Sequence, residues 1–261
     1  TAVCLTAKGG EVEKMSFDTA GRLKKAVYGE RIVNFAPLYI GNNCINNCAY
    51  CGFRASNRDT VRRTLEQAEI RREVRHLESQ GQKRLILVYG EHPQYDPEYI
   101  ADTVRTVYST REGGDRINRV NINAAPFDVD GFRTIKEAGI GTYQIFQETY
   151  DPETYARFHL GGRKRDFDWR LPSLDRAMAA GIDDVGLGVL FGLELYRYEF
   201  AALLMHGQHP EAAHGAGPHT IRVPRTQRAD PIDPHPSANR IHDAPFSTTV
   251  AGTTLAPPCT P

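Results

Sequence analysis

Short apolar runs alternate with helical stripes along most of the chain. Residues 31–40 (RIVNFAPLYI) form a β-rich apolar run. Residues 84–89 (RLILVY), 119–123 (RVNIN), 142–146 (TYQIF), 184–192 (DVGLGVLFG) and 219–224 (HTIRVP) follow the same pattern, so six strands are predicted. Between them the apolar period changes to that of a helix. Residues 11–28 place Val12, Met15, Leu23 and Val27 on one helical face before Gly29. Thr64-Leu-Glu-Gln67 reads as a capping box, with Ile70, Val74 and Leu77 forming a stripe up to Gly81. Asp96-Pro97 opens a helix carrying Ile100, Val104 and Val107, and Phe132, Ile135 and Ala138 mark another before Gly139. Further helices are predicted near 173–180 and over 196–206.

Strands that alternate with helices imply parallel βαβ units, and apolar strands imply cover on both faces. The predicted fold is therefore α/β, a partial TIM-type (βα)6 barrel over residues 31–228. An N-terminal helical segment (1–30) precedes it. An irregular tail (229–261) follows, rich in Pro, Ser, Thr and Ala and without a sustained apolar period.

Composition narrows the function. A length of 261 residues suits one sizeable α/β domain. The 32 basic residues balance the 32 acidic ones, so neither nucleic acid nor an anionic membrane surface is expected as a partner. No apolar run is long enough to span a bilayer, and no basic-then-apolar leader is visible; a cytoplasmic location is predicted. The first residue is Thr, so the sequence is expected to begin inside a longer chain.

Five cysteines do not make a disulfide scaffold in a chain of this length. Cys4 and Cys259 read as free or incidental thiols. The other three crowd into Cys44-Ile-Asn-Asn-Cys48-Ala-Tyr-Cys51, a C-x-x-x-C-x-x-C pattern directly after the first predicted strand. Three thiolates can hold three irons of a cubane and leave the fourth open to a chelating cofactor. Loops at the C-terminal ends of parallel strands are where barrel enzymes build active sites. A structural zinc site would want four ligands, commonly paired C-x-x-C units, and no second pair exists.

With Tyr50 directly before the third cysteine, this loop resembles that of the radical S-adenosylmethionine (SAM) superfamily. The resemblance implies a [4Fe–4S] cluster on Cys44, Cys48 and Cys51, with SAM chelating the unique iron through its methionine amine and carboxylate. It further implies reductive cleavage of a carbon–sulfur bond to a 5′-deoxyadenosyl radical, with Tyr50 beside the adenine.

Further blocks resemble the tyrosine lyase family that matures [FeFe]-hydrogenase, HydG. They are Phe35-Ala-Pro-Leu-Tyr-Ile40, Val120-Asn-Ile-Asn-Ala-Ala125, Gly139-Ile-Gly-Thr-Tyr-Gln-Ile-Phe-Gln-Glu-Thr-Tyr150, Gly181-Ile-Asp-Asp-Val-Gly186, Val189-Leu-Phe-Gly-Leu193 and Gly217-Pro-His-Thr220. That family implies cleavage of L-tyrosine to p-cresol and dehydroglycine, the latter going on to carbon monoxide and cyanide. It also implies a reducing electron donor and other hydrogenase maturation proteins as partners. The thiamine-pathway tyrosine lyase, 2-iminoacetate synthase, shares Gln147-Glu-Thr-Tyr150 and the Asp166-Phe-Asp-Trp-Arg170 region. A non-catalytic iron–sulfur-binding fragment is the more distant alternative.

By family position, Gly90 and Glu91 correspond to the segment that binds the methionine amine; Glu91 otherwise solvates a loop end. Glu148 is a candidate for the ribose or methionine moiety, or else one half of an internal salt bridge. Arg225 matches the position that grips the substrate carboxylate, the bland reading being an exposed arginine. His219 corresponds to a histidine facing iron associated with a second cluster. Together with His219, the histidines His206, His209 and His214 invite a zinc site, although histidines at mixed spacing are usually solvated or hydrogen-bonded. Two positions depart from the HydG pattern: Asn43 replaces a tyrosine, and Arg222 stands where a serine is usual. HydG also continues into two more strands and a C-terminal domain with further cysteines, so this chain is expected to be C-terminally incomplete.

Overall fold

The computed structural model describes residues 10–226, apart from 112 and 115; Cys4, Cys259 and the 229–261 tail lie outside the described residues. Contacts divide the chain into two units, one reaching Asn34 and the other beginning at Phe35. In the first, α1 (Glu11–Tyr28) carries Glu11 and Glu13 in its first turn and Lys25 in its last, complementing the helix dipole, and none of its residues is buried.

The second unit holds six strands: β1 (Ala36–Gly41), β2 (Arg84–Tyr89), β3 (Arg119–Asn123), β4 (Tyr143–Glu148), β5 (Val185–Val189) and β6 (Thr220–Arg222). They form one parallel sheet in the order β1-β2-β3-β4-β5-β6. The intervening helices are α2 (Gln67–Ser79), α3 (Pro97–Ser109), α4 (Val129–Glu137), α5 (Pro152–Phe158), α6 (Phe167–Arg170), α7 (Ser173–Ala179) and α8 (Tyr196–His214), with a 3-10 turn at Arg163–Arg165. This is the partial TIM-type (βα)6 barrel expected from the alternating pattern.

Strand order follows sequence order because each βα unit returns beside the one before it. Aspartate N-caps start the outer helices. Asp96 accepts the Tyr99 amide at 2.8 Å, Asp128 that of Gly131 at 2.8 Å, and Asp151 that of Thr154 at 2.7 Å. Pro97 and Pro152 occupy first-turn positions, where no amide hydrogen is required. Leu38, Ile40, Leu85, Leu87, Val120, Ile122 and Tyr143 point from the strands into a core shared with Ile70, Val74, Ile100, Val104, Phe132 and Ile135. Burial of each such side chain contributes about 1.5–3 kcal/mol.

Three sequence expectations are corrected. The first strand starts at Ala36, not 31, because its first paired residue on β2 is Leu85, one position after that strand begins. The capping box belongs to Glu66 and Glu69 rather than Thr64 and Gln67, because Thr64 bridges to Gly41 instead. The fifth strand stops at Val189, short of Gly192, which adopts φ +110°. Among the described residues no helix is long and apolar enough to cross a membrane.

The longest helix of this unit, α8, carries a histidine whose protonation is opposed by its surroundings. The Tyr150 hydroxyl lies 2.8 Å from Nδ1 of His206, and burial pushes the ring's pKa down to about 4, against the pull of Asp175. A histidine with a depressed folded pKa stabilises the fold above its unfolded value and loses that contribution as pH falls. Between pH 7 and pH 5 this one group should cost on the order of 1–2 kcal/mol. Chemical denaturation of the protein and of His206→Phe at both pH values checks this: the variant should lose less on acidification.

Candidate active site

The C-terminal edge of the sheet is capped by the cysteine loop, which follows β1. Backbone bonds fix it from two sides. Toward β2, Gly90 N–H donates to Gly41 O at 2.9 Å and Ile45 N–H to Glu91 O at 2.8 Å. Toward the segment after α5, Asn47 N–H donates to Gly161 O at 2.9 Å, Leu160 N–H to Asn47 O at 3.1 Å and Ala49 N–H to Phe158 O at 2.9 Å. Cys48 and His159 form an antiparallel bridge. Downstream, the Arg62 guanidinium gathers the carbonyls of Asn42, Phe53 and Arg54 at 2.7, 2.9 and 2.8 Å.

Two glycines permit this docking. A Cβ on Gly90 would lie 2.1 Å from the backbone oxygen of Asn43, and one on Gly162, at φ +82°, would lie 2.3 Å from Asn46 Oδ1. Gly90 therefore has a packing role independent of any ligand. Gly90→Ala should displace the loop and cost about 1–3 kcal/mol. A lowered melting temperature together with reduced iron uptake on reconstitution would report it.

All three thiols are free; Cys48 is buried, and Cys44 and Cys51 are partly exposed. Burial pushes the Cys48 pKa up to about 11 and that of Cys51 upward as well, with Lys164 pulling both back. The Phe53 amide donates to Cys51 Sγ at 3.4 Å. Among the described residues no three His, Cys, Asp or Glu side chains converge tightly enough for a single ion. Three thiolates binding separate corners of a cubane need not converge so closely, and the all-sulfur donor set suits iron–sulfur chemistry. The residues present fit such a cluster.

Tyr50 sits between the second and third cysteines with its hydroxyl 2.7 Å from His159 Nε2. The other ring nitrogen, Nδ1, faces the Tyr155 carbonyl at 2.7 Å. A carbonyl only accepts, so Nδ1 carries the hydrogen and Tyr50 donates to Nε2. Burial pushes the His159 pKa down to about 3, which keeps the ring neutral. The imidazole stacks on Tyr155 at 3.8 Å between centroids, and the Tyr155 hydroxyl bonds Lys164 O at 2.5 Å.

Glu148 ends β4 in the left-handed region, φ 73°, the one non-glycine residue among those described with positive φ. Its Oε1 accepts Lys164 Nζ at 2.6 Å; Glu148 is buried and Lys164 half-buried. Burial alone would raise the carboxyl's pKa; Lys164 and then Arg170 outweigh it and hold Glu148 below the usual carboxylate range. Arg170 is buried and donates through Nε to Phe146 O at 2.8 Å. Asn46, buried within the cysteine loop, links the parts: its amide donates to Glu91 Oε2 at 2.7 Å, and its Oδ1 accepts Lys164 N–H at 2.9 Å.

Cys44, Cys48, Cys51, Tyr50, Gly90, Glu91 and Glu148 are thus brought together at one mouth of the barrel. Arg225 lies exposed beyond β6 on the same side, its backbone bridged to Phe191. His219 is not brought to this cluster: its amide bonds the carbonyl of Val185, the first residue of β5, at the opposite edge of the sheet. His209 and His214 both donate through Nε2 to Asp175 Oδ1, at 2.8 and 3.0 Å. Asn46, His159, Lys164 and Arg170 were not anticipated from sequence.

A family model described as the Radical SAM superfamily matches residues 38–204. The 2-iminoacetate synthase of Escherichia coli (strain K12) is 37% identical over 193 residues, 74% of this chain and 49% of that protein. A crystal structure of HydG, described as a maturase of the [FeFe]-hydrogenase, superposes with a TM-score of 0.85 at 46% identity, covering 94% of this chain and 52% of that one. HydG from Carboxydothermus hydrogenoformans gives 0.82 at 40% identity, over 87% and 52%. The chain spans about half the length of these relatives. Members of the matched family bind a [4Fe–4S] cluster and SAM. With its C-x-x-x-C-x-x-C loop capping a parallel (βα)6 sheet, the chain belongs to the radical SAM superfamily.

Proposed function

We propose that the chain is the core of a radical SAM tyrosine lyase of the HydG type. It would cleave the side chain of L-tyrosine to p-cresol and leave dehydroglycine as the precursor of carbon monoxide and cyanide. The observation that carries this reading is the 46% identity to HydG across 94% of the chain. The cysteine loop tied to Glu91 and Glu148 through Asn46 and Lys164 supplies the matching chemistry.

In this reading Cys44, Cys48 and Cys51 hold the cluster, and the backbone bonds from residues 158–161 fix their spacing. When bound, cluster and cofactor supply a one-electron reductive cleavage of a carbon–sulfur bond. Glu91, oriented by Asn46, faces the cofactor's ammonium group, where a carboxylate gives a charge-assisted hydrogen bond. Glu148 takes its ribose or methionine moiety, held ionised by Lys164 and Arg170. Tyr50, fixed by His159, presents its ring to the adenine. Arg225 grips the substrate carboxylate with its planar guanidinium. His219, at the opposite mouth, would serve a separate iron site. A reducing electron donor and other hydrogenase maturation proteins are the partners, in a cytoplasmic compartment that keeps the three thiols reduced.

The 37% identity to 2-iminoacetate synthase favours a second reading in which the products include no cyanide. One experiment separates the two. The chain is reconstituted anaerobically with iron and sulfide, reduced, and supplied with SAM and isotopically labelled tyrosine. The HydG reading expects about four irons, 5′-deoxyadenosine and p-cresol from this chain, and labelled cyanide only from a protein completed with the C-terminal part that carries the further cysteines. Cresol without cyanide from the completed protein favours the second reading, and a loaded cluster in this chain that cleaves SAM without releasing cresol overturns both.

A further inference from the structure

Glu199 is a completely buried acid that nothing above has used. It lies in the first turn of α8, outside the barrel mouth, yet its carboxylate reaches back to the two residues that follow Glu148. Oε1 accepts the Thr149 hydroxyl, and Oε2 accepts the Tyr150 amide at 3.0 Å. The same helix holds Tyr150 at two more points. Its hydroxyl meets His206 Nδ1 at 2.8 Å, and its carbonyl accepts the Tyr198 hydroxyl at 3.4 Å. On the other flank, the Glu148 carbonyl accepts the Leu190 amide at 2.8 Å.

The residue between these anchors adopts φ 73°, a left-handed conformation that a side-chain-bearing residue keeps only where its surroundings enforce it. The β4 register also breaks between Phe146 and Glu148. That bulge and the left-handed turn set the direction in which the Glu148 carboxylate leaves the strand, toward Lys164 and the cysteine loop. Glu199 therefore supplies bonds on the downstream side that oppose relaxation of Glu148 toward extended backbone.

We propose that Glu199 is a positioning residue for Glu148, aiming its carboxylate into the cofactor site through the backbone of Thr149 and Tyr150. This rests on the reading that Glu148 contacts SAM. It adds to that reading a role for α8, whose side chains then govern cofactor affinity without touching the cofactor.

A double-mutant cycle on the reconstituted chain tests it. SAM affinity is measured by titrating the cofactor into cluster-loaded protein and following the spectrum of the reduced cluster. Glu199→Leu removes the acceptor and should weaken affinity about tenfold, the scale of one lost buried hydrogen bond. Iron content should stay unchanged. Glu148→Gln should weaken affinity as well. In the Glu148→Gln background, Glu199→Leu should have no further effect, because its only route to the cofactor has been removed. Glu199→Gln, which retains a carbonyl acceptor, should recover most of the affinity, and if the leucine variant does not fold, Thr149→Val, which removes the hydroxyl donor to Oε1, takes its place in the cycle.

Equal effects of the Glu199 substitutions in both backgrounds would overturn the inference and leave a merely structural role. So would a Glu199→Leu variant with unaltered affinity. A silent Glu148→Gln would instead overturn the reading of Glu148 itself, and the positioning role with it.

Discussion

Cys48→Ala is expected to abolish SAM cleavage while leaving the sheet folded. Cys48 is the most enclosed of the three thiols, 4% exposed, and its backbone is bridged to His159. Two thiolates cannot hold three corners of a cubane. Iron uptake on reconstitution should fall toward zero and 5′-deoxyadenosine production to background. The lost sulfur is small, so the fold should weaken by about 1 kcal/mol, a shift of about 2–4 °C in melting temperature. Iron analysis and calorimetry on one preparation separate the two effects. A variant retaining a full complement of iron would remove Cys48 from the ligand set.

The second large effect concerns Lys164→Met. The wild-type pair buries a carboxylate and an ammonium whose side chains are 11% and 14% exposed. Removing one partner of a buried pair leaves the other charge uncompensated, typically at about 3–5 kcal/mol. Arg170 remains beside Glu148, so the lower end is expected at neutral pH. The pH dependence follows from sign. With its pKa depressed in the fold, wild-type Glu148 stabilises the protein above its unfolded pKa and loses that contribution as pH falls through the folded value. Without Lys164 the folded pKa rises, so protonation relieves the variant. Its stability deficit should therefore be larger at pH 7.5 than at pH 5 in denaturant titrations. An equal deficit at both would mean that the pair contributes packing and not charge.

The strands and the cysteine loop were legible because their signals are local. Arg84–Tyr89 is a nearly continuous apolar run and Arg119–Asn123 alternates polar with apolar residues, and their boundaries match the predicted ones. The three cysteines declare themselves by spacing alone. Glu148 was half legible: its place at a strand end was visible, along with the alternative of a salt bridge, but not the partner.

The stretch 149–172 was not resolved into elements. Its α5, 3-10 turn and α6 are 7, 3 and 4 residues long, too short to establish an apolar period. Lys164 lies in Arg-Lys-Arg-Asp, which reads as a solvated charge run, and only tertiary contact with Glu148 makes it a half-buried lysine. His159 gave no signal either. Its value comes from two partners, Tyr155 at its own helix and Tyr50 over a hundred residues earlier. Asn46 is one of three variable positions between the first two cysteines of the motif, yet its carboxamide is what joins Glu91 to Lys164.

The docking of the cysteine loop on residues 158–164 has a consequence for the order in which a ribosome delivers the parts. Each strand of the sheet pairs with the one made just before it, so βα units can add in turn as the chain emerges. The loop is an exception. Cys44, Cys48 and Cys51 are synthesised with β1, but the carbonyls and amides that seat them belong to Phe158, Leu160 and Gly161, and Asn46 waits for Lys164, 118 residues later. Until that segment is made, the loop is fastened on one side only, through Glu91 and Arg62. Ordered insertion of iron and sulfide therefore belongs after translation has passed the middle of the chain, and a nascent fragment ending before Leu160 would offer the metal three cysteines without a site.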